Sequence, residues 1–90
     1  MYNLSISSRA GRDLKTLAER SPKYDVERLY IAMENLLDEP RPHGVQKIRG
    51  QGKTHRIRVG NYRVIYDIYD KENVVIISRV LRRTETTYRA

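Results

Sequence analysis

The chain has 90 residues, a formal net charge of +7 and no cysteine. Its length suits one domain over residues 1–90, and the absence of cysteine excludes disulfides and thiolate metal sites. No apolar run reaches about 18 residues and the N-terminus lacks a long apolar core, so we expect a cytoplasmic protein without a membrane span or signal peptide.

The positive charge is concentrated in the second half of the chain. Residues 1–40 contain six Lys and Arg against seven Asp and Glu, whereas residues 41–90 contain twelve against four. The net charges of the two parts are therefore −1 and +8. An excess this localised predicts an anionic partner for the second half: nucleic acid, an anionic membrane surface or an acidic protein.

The first 40 residues predict a short strand followed by two helices. Residues 2–6 alternate weakly and predict the strand, and Ser7 or Ser8 can cap a first helix. Ser21 suits the N-cap of a second helix and Pro22 its first position. The apolar stripes of the two helices are Ala10, Leu14, Leu17 and Ala18, and then Val26, Leu29, Tyr30, Met33, Leu36 and Leu37.

The remaining sequence predicts four strands. They cover residues 45–48, 55–59, 62–69 and 74–80, with turns at Gly60-Asn61 and at residues 70–73. The order β-α-α-β-β-β-β predicts an α+β fold in which an N-terminal helical hairpin packs on one face of an antiparallel sheet. The opposite face is then left to water or to a ligand.

The turn at Gly60-Asn61 also predicts a pairing register. In a two-residue hairpin, Val59 lies opposite Tyr62 and Arg58 opposite Arg63. Because side chains alternate between faces, the helix-covered face receives six residues of the hairpin: His55, Ile57, Val59, Tyr62, Val64 and Tyr66. The open face receives Arg56, Arg58 and Arg63.

Two arginines opposite each other are unfavourable for a sheet. Like charges in that position cost up to about 1 kcal/mol. A solvated face that uses Arg for solubility is one interpretation of the cluster. A docked phosphodiester is the other, and it fits better, because a guanidinium offers a planar fork of donors and does not lose its charge.

Residues 56–66 read R-x-R-x-G-x-Y-R-x-x-Y, and this segment resembles the core signature of RelE-type toxins in the RelE/ParE superfamily. The later Val80-Leu81-Arg82-Arg83, followed by Tyr88-Arg89, is similar to the C-terminal signature of that family. The helical hairpin before the sheet also matches. The resemblance implies a RelE-like fold, which is related to that of microbial RNases.

The resemblance further implies an mRNA endonuclease that acts in the ribosomal A site, contacts ribosomal RNA and is silenced by a cognate small antitoxin. The family cleaves RNA without a metal or other cofactor. In its reaction the ribose 2′-OH attacks the adjacent phosphate and the 5′-oxygen leaves.

Matching positions carry the implied roles. Arg56 and Arg58 correspond to the two basic residues that bind the phosphate, and Arg63 corresponds to the arginine that stabilises the transition state. Arg83 is the implied proton donor to the leaving oxygen. Tyr88 is the implied base-stacking residue or general base.

Further residues complete the predicted site. Glu85 is an alternative to Tyr88 for proton transfer. Three more cations are assigned to RNA binding: Lys53, Arg79 and Arg82. No metal site is expected, because His43 and His55 are not accompanied by cysteine or a clustered acid.

Other residues are interpreted as structural. His55 is expected to be packed against the core rather than catalytic. Three sheet tyrosines, Tyr62, Tyr66 and Tyr69, are expected to pack in the sheet, and Tyr30 and Met33 in the helix core.

Two other functions stay open at this point. One is a ParE-like gyrase inhibitor without nuclease activity, and the other is a non-catalytic RNA-binding module. The arginine cluster together with Arg83 and Tyr88 favours the endonuclease. The expected antitoxin carries an acidic or amphipathic segment that covers the basic face or docks along the helices.

Overall fold

A computed structural model describes residues 1–48, 50 and 52–83. The strands and helices are β1 Asn3–Ile6, α1 Ser8–Arg20, α2 Lys23–Asn35, β2 Gln46–Lys47, β3 Thr54–Val59, β4 Tyr62–Tyr69 and β5 Val74–Arg82. The sheet order is β1-β5-β4-β3-β2, and both helices pack on one face. None of the helices formed by the described residues is long and apolar enough to cross a bilayer.

The predicted α+β fold is confirmed, and its sheet is antiparallel except at one edge. β2 to β5 pair as antiparallel neighbours, whereas β1 runs parallel to β5. The parallel pair arises because the helices carry the chain from β1 to the far edge of the sheet. Three antiparallel steps then return it to β5 in the direction of β1.

The first helix begins as predicted and buries a narrower stripe than predicted. The Ser7 hydroxyl accepts a hydrogen bond from the Ala10 amide at 3.1 Å and so caps α1. Ala18, by contrast, is exposed. It lies on one flank of the buried stripe, while Asp13 on the opposite flank turns toward β5, where it is bonded.

The predicted start of the second helix is wrong by one residue. Ser21 is the C-cap of α1, and its amide donates to the Leu17 carbonyl. Pro22 takes the N-cap position of α2 and no side chain caps that helix. Because only two residues separate the helices, Ser21 is already used to end the first one.

α2 presents a narrow apolar face to the sheet. Leu29, Met33 and Leu36 are buried, whereas Tyr30 is 46% exposed, so its predicted place in the core is wrong. At 100° per residue, Tyr30 lies a quarter turn beyond Leu29, outside the contact with the sheet.

The core tyrosines and histidine are placed as predicted. Tyr62 and Tyr66 are buried, and the Tyr66 hydroxyl donates to the Pro40 carbonyl at 2.7 Å. His55 is 6% exposed and stacks on Tyr66 with 5.9 Å between ring centroids. Tyr69 is only partly buried, and the Lys53 ammonium lies 4.5 Å from its ring centroid.

The β3–β4 hairpin has the predicted register throughout. Val59 pairs with Tyr62, Arg58 with Arg63 and His55 with Tyr66. Gly60 makes the turn with a φ of +58°, a conformation that strains any residue with a Cβ.

We expect Gly60→Ala to lower the free energy of unfolding by about 1 kcal/mol or more, because of this positive φ. A Cβ there would also lie 2.9 Å from an Arg28 guanidinium nitrogen. Gly11→Ala is the matched control, because Gly11 lies in α1 and a Cβ there would meet no atom within 4 Å outside the neighbouring part of its own helix. This variant should raise the free energy of unfolding by about 0.5–1 kcal/mol. Urea unfolding of the two variants measures both, and equal effects would contradict the strain at Gly60.

Candidate nucleic-acid interface

The sheet face opposite the two helices, here called the uncovered face, presents the predicted arginines in two neighbouring rows. Residues opposite each other on adjacent strands point to the same side of a sheet. The first row across β3, β4 and β5 is Arg58, Arg63 and Leu81. The second row across β2 to β5 is Gln46, Arg56, Ile65 and Arg79. The structure therefore brings Arg56, Arg58 and Arg63 together.

Arg58 is the most open member of this cluster. Its side chain is exposed, and no acidic side chain in the described part of the chain lies within ion-pairing distance of it. Leu81, at the other end of the row, is only 2% exposed. Arg63, which lies between them and next to Leu81, is only partly exposed, so its charge is less screened by water than that of Arg58.

Two polar contacts hold the second row and its neighbourhood. Arg56 donates from Nη2 to the Gln46 side-chain oxygen, which fixes the guanidinium over β2. Asp67 follows in the next row of the same face, where its carboxylate accepts from the Thr54 hydroxyl at 2.6 Å.

Arg79 is engaged by a carboxylate. Its Nε lies 2.9 Å and its Nη2 lies 3.3 Å from the two carboxylate oxygens of Asp13. The positive charge of Arg79, which the sequence assigned to RNA binding, is thus balanced within the protein.

Arg82 and Arg83 lie at the end of β5, beside the tip of the β3–β4 hairpin. Arg82 pairs with Tyr62 and therefore belongs to the helix-covered side of the sheet, where it is exposed at the end of β5. Arg83 is exposed, and its amide donates to the Asn61 carbonyl. The backbone of Arg83 is therefore fixed near the row that holds Arg63.

Lys53 is separated from the arginine cluster. It precedes β3, at the end of that strand opposite to Arg58, and its ammonium packs over Tyr69. Tyr88 and Glu85 lie outside the described residues, and their roles stay predictions. Within the described ranges, no three His, Asp or Glu side chains are grouped so that they could hold a metal ion.

The sequence did not predict a groove between α2 and β3. β2 pairs only with His55 and Arg56, so the edge of β3 from Ile57 onward has no strand partner among the described residues. A groove of about 430 Å³ lies there, and Arg58 lines it together with Arg28. Its apolar lining comprises Ile31, Ala32, Leu36, Pro42, Ile57 and Val59.

A second groove, of about 260 Å³, continues from the first. Arg58 and His43 line both, and Arg56 and Gln46 line the second. The apolar groove beside α2 is therefore continuous with the basic face. The sequence signals for it were Ile31 beside the apolar stripe of α2 and Gly44, which has a φ of +88° and precedes the two-residue strand β2.

Comparison with known proteins identifies the family. The family model for the ParE toxin of type II toxin–antitoxin systems matches residues 4–87. A toxin candidate named RelE1, from Methanocaldococcus jannaschii, is 27% identical over 85 residues, which cover 91% of this chain and 90% of that protein.

Solved structures agree. The RelE–RelB complex of Pyrococcus horikoshii OT3 matches with a TM-score of 0.77 and 30% identity, over 93% of this chain and 97% of that one. The RelBE2 toxin–antitoxin complex of Mycobacterium tuberculosis gives 0.76 and 28%, over 91% and 98%. The isolated Escherichia coli RelE toxin gives 0.77 and 23%, over 94% and 87%, and supports the fold. The chain therefore belongs to the RelE/ParE superfamily of toxins from type II toxin–antitoxin systems, as a RelE-type member.

Proposed function

We propose that this toxin is an endoribonuclease that cleaves mRNA in the ribosomal A site. The observation that carries the proposal is the direct opposition of Arg58 and Arg63 on the uncovered face, with Arg56 one row away. A sheet that only faced water would be more stable without two facing guanidiniums. A bound phosphodiester converts their repulsion into shared attraction.

The chemistry proposed is an in-line transfer to the 2′-oxygen. The ribose 2′-OH loses its proton to a base and bonds to the adjacent phosphorus, while the bond from phosphorus to the 5′-oxygen breaks. The 5′-oxygen takes up a proton, which leaves a cyclic phosphate and a 5′-hydroxyl. No net charge or redox change is required of the protein.

The arginines would act on the charge that develops. Arg56 and Arg58 bind the phosphate, and Arg63 stabilises the pentacoordinate transition state, in which negative charge grows on the phosphoryl oxygens. Donors already held in place do not need to reorganise during the reaction, so each contributes about 3–4 kcal/mol to lowering the barrier.

Proton transfer is assigned to the C-terminal residues. Arg83 stabilises or protonates the leaving 5′-oxygen, and Tyr88 stacks on the base or removes the 2′-OH proton, with Glu85 as its alternative. Tyr62 and Tyr66 are unsuited to that role. Both are buried, the Tyr62 hydroxyl donates to Asp25 at 3.0 Å, and burial raises the pKa of Tyr66, which keeps it protonated.

The alternative from the same superfamily is a gyrase inhibitor. The matching family model is described by the ParE toxin, whereas the similar structures are described as RelE toxins. These descriptions therefore do not distinguish RNA cleavage from gyrase inhibition. The paired arginines favour RNA cleavage, because inhibition of a protein does not require them to face each other.

We expect Arg63→Ala and Arg83→Ala each to slow mRNA cleavage by about 100-fold or more, since each removes a transition-state donor. Primer extension on mRNA from purified translation reactions measures the cleavage. Arg20→Ala, on the exposed end of α1, is a control that removes the same charge and should cleave normally.

Three results would contradict the nuclease assignment. One is normal cleavage by both variants. Another is an arrest of cell growth by the wild type without cleaved mRNA but with damaged DNA, which would support the gyrase inhibitor. An unaffected culture would support the non-catalytic module.

We expect Arg58→Gln to raise the free energy of unfolding by up to about 1 kcal/mol at low salt, because it removes the cross-strand repulsion. This gain in stability should shrink as salt screens the charges. The variant should also cleave mRNA more slowly than the wild type, because it lacks a phosphate-binding arginine. Lys71→Gln, an exposed cation in the β4–β5 turn, should change neither. Lower stability of Arg58→Gln at all salt concentrations would show that the pair is not repulsive.

We also propose that the cognate antitoxin uses the groove between α2 and β3. Three of the five exposed large apolar side chains of the described residues lie on α2: Tyr24, Tyr30 and Ile31. The groove is lined by apolar side chains together with two arginines, Arg28 and Arg58, and one acid, Glu39, so its charged lining is positive on balance. An amphipathic segment with acidic side chains matches this lining, and by reaching Arg58 it would also block the basic face.

We expect Ile31→Asp to weaken antitoxin binding by about 30-fold, or roughly 2 kcal/mol. The Ile31 side chain is 57% exposed in the toxin, and the substitution would put a carboxylate where the antitoxin is proposed to make an apolar contact. Titration calorimetry with the purified antitoxin measures this. Ala18→Asp places the same charge on the exposed side of α1 and should bind normally. Equal affinities for the two variants would exclude the groove.

A further inference from the structure

We propose that Asp13 of α1 is a positioning residue that fixes the register of β5 and thereby places Arg83 beside Arg63. The inference rests on the proposed function in its account of catalysis, and on contacts alone in its account of the strand. Asp13 itself is not a catalytic residue, since its carboxylate is used within the protein.

The outer edge of β5 loses its strand partner before the strand ends. β1 pairs with β5 only as far as Ile6 opposite Ile77, and the Ser7 amide adds one more bond to the Ile77 carbonyl at 2.9 Å. Among the described residues, no strand covers β5 beyond that point. Without a substitute, the Val80 amide would be left exposed at an edge.

Asp13 supplies that substitute. Its Oδ2 accepts from the Val80 amide at 2.9 Å and from Arg79 Nε at 2.9 Å, and its Oδ1 accepts from Arg79 Nη2 at 3.3 Å. The Asp13 side chain is 16% exposed and that of Arg79 is 27% exposed. A carboxylate this enclosed and bonded to three donors holds its place more firmly than an ion pair on the surface.

The contact falls immediately after a bulge in β5. Ile65 pairs with Arg79 while Tyr66 pairs with Ile77, so Ser78 is an extra residue in the strand. The Ser78 hydroxyl donates to the Ile65 carbonyl at 3.1 Å. An extra residue reverses the alternation of faces, and this is why Arg79 and Leu81 point to the uncovered side.

The register set at Arg79 is transmitted to the end of the strand. Leu81 lies opposite Arg63, and two residues later the Arg83 amide donates to the Asn61 carbonyl. A slip of one residue would move Leu81 to the other face and break this last bond. Asp13 on the outer edge and the hairpin on the inner edge therefore hold the same short segment.

Two substitutions at Asp13 separate the parts of this contact. Asp13→Ala removes all of its bonds. Asp13→Asn keeps an oxygen for the Val80 amide but loses the charge that pairs with Arg79. Glu19→Ala is the matched control, because Glu19 is an exposed acid on the same helix.

The test combines single-turnover cleavage of ribosome-bound mRNA with amide hydrogen exchange. Asp13→Ala should cleave about 10- to 100-fold more slowly at saturating toxin, as expected for a displaced catalytic group, with a less than about 2-fold change in the half-saturating concentration. Exchange should accelerate at residues 80–83 and not in α2. Asp13→Asn should show a smaller change of the same kind, and Glu19→Ala none.

Several results would overturn the positioning role. One is normal cleavage together with normal amide exchange in Asp13→Ala. Another is a higher half-saturating concentration with an unchanged cleavage rate at saturating toxin. If Asp13→Ala does not fold, Asp13→Asn decides by the same two measurements. If the wild type does not cleave, the proposed function fails, while accelerated exchange confined to residues 80–83 would still support the register role and unchanged exchange would refute it.

Discussion

The turn at Gly60-Asn61 determines the arrangement on which the site depends. Its positive φ at Gly60 closes a two-residue hairpin, and that closure places Arg58 opposite Arg63. The same register sends His55, Tyr62 and Tyr66 into the core. The turn therefore stabilises one face of the hairpin by burial and leaves the other face with a concentration of charge.

This arrangement divides the sheet into an apolar face that stabilises the fold and a face that carries charge. Both helices cover the apolar face, and the Tyr66 hydroxyl is bonded to the Pro40 carbonyl beneath them. The polar contacts of the uncovered face hold arginines in place, as Gln46 does for Arg56. An open face with facing cations is a poor solution for folding alone, and it becomes reasonable when a polyanion is its ligand.

Among residues 1–48, 50 and 52–83, the ends of β3 and β5 lack a strand partner on one side, and both adjoin the basic face. At β3 the short β2 leaves this unpaired edge next to the apolar groove of α2. At β5 a carboxylate from α1 replaces the missing strand. One edge is thus available to a partner, whereas the other is closed by the protein itself. In the proposed function, the groove at the first edge receives the antitoxin, and the closure of the second edge holds the strand that leads to Arg83.

Local sequence signals determined the elements, the hairpin register and the arginine cluster, because periodicity and turn chemistry act over a few residues. Longer-range contacts decided the rest. The apolar run 74–77 does not reveal the bulge at Ser78, which depends on the Ile65 carbonyl and on Asp13 from α1. Likewise, Tyr30 fits an apolar helical pattern, but the contact between α2 and the sheet is too narrow to include it in the core. Arg79 is neutralised by Asp13, which lies 66 positions away in the chain. No local pattern in the sequence indicates a pairing over that distance.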